Sequence, residues 1–200
     1  RPRLHNRIAN RNSTEFGAIR GIHLSKQYGL VHLAALYGHA FWDAEIQSND
    51  DVQIRRTEQH SSNTSIQRKN ALTERLATLH ISAGTPQNHL GATIQTAHFS
   101  PTKPQEIASR HISIDGRGQW HQTVLFGEIA FGPKTQAFVT GLNWQKKTFK
   151  FHLLTRKYSP YFSALHGAPI ATYGTPPQNE QGIFFGFAYR PSPRTRIELS

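Results

Sequence analysis

Two alternating segments constrain the fold of this chain more than any other feature. From Phe149 the sequence runs FKFHLLTRKY, which puts Phe149, Phe151 and Leu153 on one side of an extended backbone and Lys150, His152 and Arg156 on the other. From Gly182 it runs GIFFGFAY, with Ile183, Phe185, Phe187 and Tyr189 on one side against Gly182, Gly186 and Ala188. Strands whose large apolar residues are backed only by glycine, alanine and charge have two solutions. A soluble sandwich turns the large residues inward onto a second sheet. A membrane barrel turns them outward onto hydrocarbon and leaves the small and charged residues facing a lumen. The expectation is an all-β chain, an antiparallel transmembrane β-barrel or an open barrel fragment, in one domain over residues 1–200.

Composition limits the alternatives. At 36% hydrophobic and 18% charged the chain looks like an ordinary soluble protein, but a barrel conceals its apolar surface in alternation, so bulk composition does not exclude one. No run approaches the roughly 18–20 apolar residues of a spanning helix. The 23 Lys and Arg against 12 Asp and Glu leave a charge of +11, suited to nucleic acid, anionic lipid or anionic solutes. Cysteine is absent, which removes disulfides and thiolate chemistry. Methionine is absent even at position 1, and no charged start with an apolar core precedes the strands. The chain therefore reads as an internal fragment of a longer polypeptide, with its last strand begun at Thr195.

Taken in order, alternation predicts strands over residues 16–25 and 30–42, joined by a turn at Lys26-Gln27-Tyr28-Gly29. Residues 43–73 read as a long exposed loop with little for a core, holding a short helix N-capped by Ser65. Strands resume over 74–83 and 89–99, and a weaker one over 108–114 precedes a tight turn at Asp115-Gly116-Arg117-Gly118. The remaining strands fall over 119–131, 136–145 and 149–158, then 182–190 and the stretch from 195. The ten strands are linked by short turns at one end and mostly longer loops at the other, the asymmetry of outer-membrane barrels.

Residues 156–200, RKYSPYFSALHGAPIATYGTPPQNEQGIFFGFAYRPSPRTRIELS, resemble the near C-terminal part of a family of bacterial outer-membrane β-barrel proteins catalogued by a helix-hairpin-helix domain towards their N-terminus. Tyr158-Ser159-Pro160, Leu165-His166-Gly167, the Pro177 to Gly182 run and, upstream, Phe126-Gly127-Glu128 carry the resemblance. It implies a barrel in the bacterial outer membrane, and the expectation from the chain's own residues is a porin-like wall and not an enzyme. The helix-hairpin-helix part lies outside these residues, so DNA would be a partner only through a region not present here.

The function expected is a pore, transporter or surface platform with a basic lumen, in contact with membrane lipid and lipopolysaccharide and open to an anionic solute. Glu128, Arg156, Lys150 and His152 are expected to face the lumen. A Glu128–Arg156 salt bridge is expected across a strand that offers only Ala137, Val139 and Gly141 between them. Tyr158, Tyr161, Phe162 and Tyr189 are expected in an interfacial aromatic girdle or in the loop beside it, and the 159–179 connection is expected to cover one mouth. The Ser/His pairs His80/Ser82, His98/Ser100 and His111/Ser113 raise a barrel-embedded lipase, but nothing marks one pair above the others. No phosphate-binding loop, metal cluster or cofactor motif is present. The alternative from another class is a soluble basic all-β domain that stacks and binds nucleic acid.

Overall fold

A computed structural model describes residues 18–47, 52–55, 62–101, 104, 109–162, 166, 179–192 and 195–199. Twelve strands follow one another as β1 (Arg20–Tyr28), β2 (Val31–Trp42), β3 (Ala44–Ile46), β4 (Val52–Ile54), β5 (Leu72–Gly84), β6 (His89–Ser100), β7 (Arg110–Trp120), β8 (Thr123–Gly132), β9 (Thr135–Lys146), β10 (Phe149–Tyr158), β11 (Glu180–Ser192) and β12 (Thr195–Leu199), with one short helix, α1 (Asn63–Gln67). Ten of the strands form a single antiparallel meander, β1-β2-β5-β6-β7-β8-β9-β10-β11-β12, and β3 pairs only with β4. No pairing among the described residues joins β1 to β12, so the sheet is open.

Three local expectations need correction. Asp115-Gly116-Arg117-Gly118 is not a turn: Gly116 pairs with Gly127 and Gly118 with Leu125 inside the β7–β8 ladder. The reversal falls at His121 and Gln122, where His121 takes a left-handed φ of 52°. Two glycines that suit a turn are also tolerated in a strand, and the β6 register, with Asp115 opposite Gly91, carries the strand through them. The helix is capped by Ser62, with Ser65 at its third position closing a capping box. The 43–73 stretch is not uniformly exposed, because Asp43, Ala44 and Val52 are buried where β3 and β4 fold back against Trp42, Leu72 and Phe99.

The division of the two faces is continuous across the sheet. Val31, Leu33, Leu79, Ile81, Leu90, Ile94, Leu125, Ile129, Phe138, Leu142, Phe149, Phe151, Ile183, Phe185 and Phe187 all lie on one side, which we call outward. That side is bare of protein: Leu79 is 52% exposed, Leu125 56% and Ile183 78%. The strand carboxylates of the ten-stranded sheet, Glu74, Asp115, Glu128, Glu180 and Glu198, are all on the other side. Outward cations occur only towards the strand ends, at Arg20, Lys26, Arg75, Arg110, Lys146 and Lys157, with apolar, small or threonine side chains between.

Burial is concentrated at the rim that carries the long connections. Ala40, Trp42, Ala44, Val52, Leu72 and Phe99 form one cluster there, and Ala137, Tyr158 and Phe162 another. Both clusters lie on the inward side, where the long connections fold over the sheet.

Candidate solute-facing site

The inward face combines small residues, histidines and paired charges. On β10, Lys150, His152 and Arg156 share the inward side of the sheet, and Glu128 shares it on β8. Lys150 stands near the turn end, opposite Gln145 and Ala188. His152 Nδ1 is 2.7 Å from Asn143 Oδ1 on the neighbouring strand.

Glu128 and Arg156 stand level on this face, each directly opposite Val139 from its own side, yet the expected bridge between them is not the one formed. Arg156 instead holds Glu180, its Nε donating at 2.9 Å and its Nη2 at 2.5 Å to Oε1, with both side chains at most 10% exposed. The reason is distance and space. Glu180 is on the adjacent strand, two residues from Gly182, and Gly182 directly faces Arg156. A Cβ at Gly182 would stand 3.4 Å from the guanidinium, so glycine leaves the floor over which Arg156 lies flat. Glu128 is two strands away behind the Val139 side chain, and adjacency wins.

A second buried carboxylate organises the opposite wall. Glu74 on β5 is 1% exposed, and its Oε2 accepts from Trp42 Nε1 at 2.9 Å and from His166 Nε2 at 2.7 Å. The His166 ring also packs on Trp42, with centroids 5.5 Å apart. His166 belongs to the 159–179 connection, as does Phe162, which stacks on Tyr158 and meets the edge of His111. One connection leaving β10 therefore touches β2 and β5 as well as β7, so the sheet must curl around it. The expectation that this connection covers one mouth falls mostly outside the described residues, but Phe162 and His166 lie over the inward face.

Tyr158 is thus on the inward side and not in an outward girdle, and Phe162 lies in the connection that follows it. They are buried at 4% and 5% exposure on the inward side, because Tyr158 falls in the same alternation as Arg156 and faces Ala137. Tyr161 is exposed, and Tyr189 is outward near the turn rim, stacked on Phe149 at 4.6 Å. Tyr28, Trp120 and Trp144 share that outward side and rim.

Between these two walls is a cavity of about 650 Å³, lined by His89, Ser113, Asp115, Arg117, Glu128 and Phe162 among others. Asp115 and Glu128 are direct cross-strand partners there. His89 Nε2 approaches Asp115 at 3.8 Å, and the Asp115 carboxylate and His80 both lean over Gly91, where a Cβ would stand 2.8–2.9 Å from them. His80 Nδ1 is hydrogen-bonded to Thr93 Oγ1 at 2.9 Å. His111, Ser113 and Asp115 follow one another on this face, but the Ser lies between the other two. Asp115 is four residues from His111, ~13 Å along a strand, too far to orient its imidazole. Of the other Ser/His pairs, His80/Ser82 is inward and His98/Ser100 outward. No cluster of three potential metal ligands occurs among the described residues.

The charge of this face differs from the expected basic lumen. Its strand positions carry Arg117, Lys150, Arg156, Arg190 and Arg196 against Glu74, Asp115, Glu128, Glu180 and Glu198, which is a balance. The net positive charge of the chain lies on the outward rims, in turns and connections, and in its first residues. None of Glu74, Trp42, His166, Asp115 and Glu180 was singled out from the sequence as a site residue, Asp115 having been read as part of a turn. Only Glu74 left a signal, a lone acid flanked at i±2 by Leu72 and Leu76.

No protein-family model, curated protein or solved structure matches the chain.

Proposed function

We propose that this sheet is the wall of a transmembrane β-barrel of the bacterial outer membrane, a pore or transporter wall with its inward face turned to solute. The observation that carries the reading is the segregation of side chains. Every strand carboxylate of the ten-stranded sheet is inward, while the large apolar residues make an exposed belt bounded at both rims by cations. A soluble protein has no reason to leave so continuous an apolar face bare, whereas hydrocarbon requires one and tolerates cations only towards its edges. Strands of 10–13 residues across most of the sheet suit the roughly 9–11 residues that cross a bilayer at a tilt. In a bilayer both open edges need partners, whether each other or further strands. The near-balanced, histidine-rich lining favours a polar solute held by hydrogen bonds over selection by a fixed positive field. The resemblance noted above for residues 156–200 points to the same setting.

Detergent dependence is the test. The chain should be monodisperse only with detergent or lipid and should stay with vesicles through urea extraction. Monodisperse behaviour in plain buffer, with retained binding of single-stranded nucleic acid, would replace this reading by the soluble one.

A further inference from the structure

At the rim of the long connections the strand register assembles a basic row across the outward face. Arg20 is opposite His39, His39 opposite Arg75, and Arg75 opposite His98, while Arg110 stands one strand further on, opposite Thr96. All five side chains are exposed. At ~4.8 Å per strand the row extends over ~19 Å. No Asp or Glu occupies an outward position on the ten-stranded sheet, and the ion pairs of the described residues involve neither Arg75 nor Arg110. The turn rim has no such row: Lys26 lies over the Tyr28 ring at 4.6 Å, and Lys146 is far away on β9.

The row borders a cleft. Among the described residues β6 and β7 pair as far as Thr96 and Arg110, with one further bond from the Ala97 N–H to the Ser109 carbonyl at 2.8 Å. Among the described residues no β7 partner continues beside β6 from there to Ser100, and a cleft of about 680 Å³ is lined by Thr96, His98, Phe99, Pro101, Ser109 and Arg110.

We propose that this cleft and row bind the phosphate groups of a glycolipid of the lipopolysaccharide class, with the acyl chains lying on the belt below. The proposal rests on the membrane reading. Guanidinium groups pair with phosphate oxygens through two parallel N–H bonds, and the Thr96 and Ser109 hydroxyls add donors beside them. Past Ala77 and Thr96 towards the sheet centre the outward residues are Leu79, Ile94 and Ile112, which face one another across β5, β6 and β7 and offer an apolar bed of the kind acyl chains need. Cations carried on separate strands suit a headgroup with several phosphates better than a phospholipid with one, and the open cleft leaves room for sugar.

The test uses the full chain folded in zwitterionic micelles, with bound lipid counted by native mass spectrometry. Diphosphoryl lipid A, monophosphoryl lipid A, phosphatidylglycerol and inorganic phosphate are the probes. Diphosphoryl lipid A should bind about tenfold more tightly than phosphatidylglycerol, and R75Q/R110Q should remove that preference. R110K, which keeps the charge but not the fork, should lose part of it, while K26Q/K146Q should bind as the parent does. Circular dichroism checks that each variant keeps its strands. Equal affinity for diphosphoryl lipid A and phosphatidylglycerol, an unaffected R75Q/R110Q, or inorganic phosphate displacing the lipid A would each overturn the proposal. Failure of the parent chain to enter vesicles would instead strike the barrel reading itself.

Discussion

The two rims of the sheet are built on opposite principles. At the rim of the long connections, Trp42, Leu72, Glu74, Phe99, Tyr158 and Glu180 are all under 9% exposed, and the carboxylates among them are buried with cationic or N–H partners. At the turn rim Tyr28 and Leu30 are more than half exposed, Trp120 is 76% exposed, and the aromatic residues stand outward. One rim is held by its own side chains; the other is held by backbone pairing and by whatever meets its outward face. A sheet of this design is stable at one end in water and depends on its surroundings at the other.

Breaking the buried rim should have the largest effect. Arg156→Met leaves Glu180, 8% exposed, without the guanidinium that neutralises it. A loss of about 3–5 kcal/mol in urea unfolding is expected, most of it regained in Arg156→Met/Glu180→Leu. A double variant as unstable as the single one would show that the pair is not the cause. Leu72→Ala, at a side chain of 0% exposure, should cost about 2–5 kcal/mol in the same assay, through lost burial and the space left against Trp42 and Phe99.

Changes on the outward belt should depend on solvent. Phe185→Arg, facing Leu153 near mid-strand, should cost about 2–4 kcal/mol when the chain is unfolded from lipid vesicles. The same cost in plain buffer would mean that a protein core, not hydrocarbon, covers this face.

The smallest effect is expected beyond the sheet. Arg55 and Arg68 hold Glu45 on β3 at 2.7 and 2.9 Å, and the Arg55 hydrogen bond, set against some desolvation, keeps its carboxyl below the ordinary glutamate range. A carboxylate depressed in the folded state stabilises it above the unfolded pKa and loses that contribution as pH falls through the lowered folded value. Acidification should therefore loosen β3–β4 slightly before the sheet, and Glu45→Gln should abolish that step in hydrogen exchange followed against pH.

The sequence made the faces legible. Period-2 alternation placed Phe149, Phe151, Ile183, Phe185 and Phe187 on one side and Glu128, Lys150, His152 and Arg156 on the other, and the ladder keeps them there. A first hairpin was also visible, but its turn was expected at Lys26-Gln27-Tyr28-Gly29 and falls at Gly29-Leu30, because Lys26 to Tyr28 stay in the ladder opposite Val31 to Leu33. What misled was local chemistry with two uses. Asp115 to Gly118 has turn residues inside a strand, and Tyr158 reads as an interfacial aromatic though its parity sends it inward.

Alternation is a property of the backbone pleat, so the sequence alone determined which side each strand residue takes and how many strands the sheet contains. Partners on that side were a matter for the tertiary structure. Arg156 chose Glu180 over Glu128 because a glycine on the neighbouring strand opened the shorter path. His166 reached Glu74, 92 residues away in sequence, because the sheet curls round the connection that carries it. Short-range pattern fixes orientation, while pairing between side chains depends on distances that only register and curvature set.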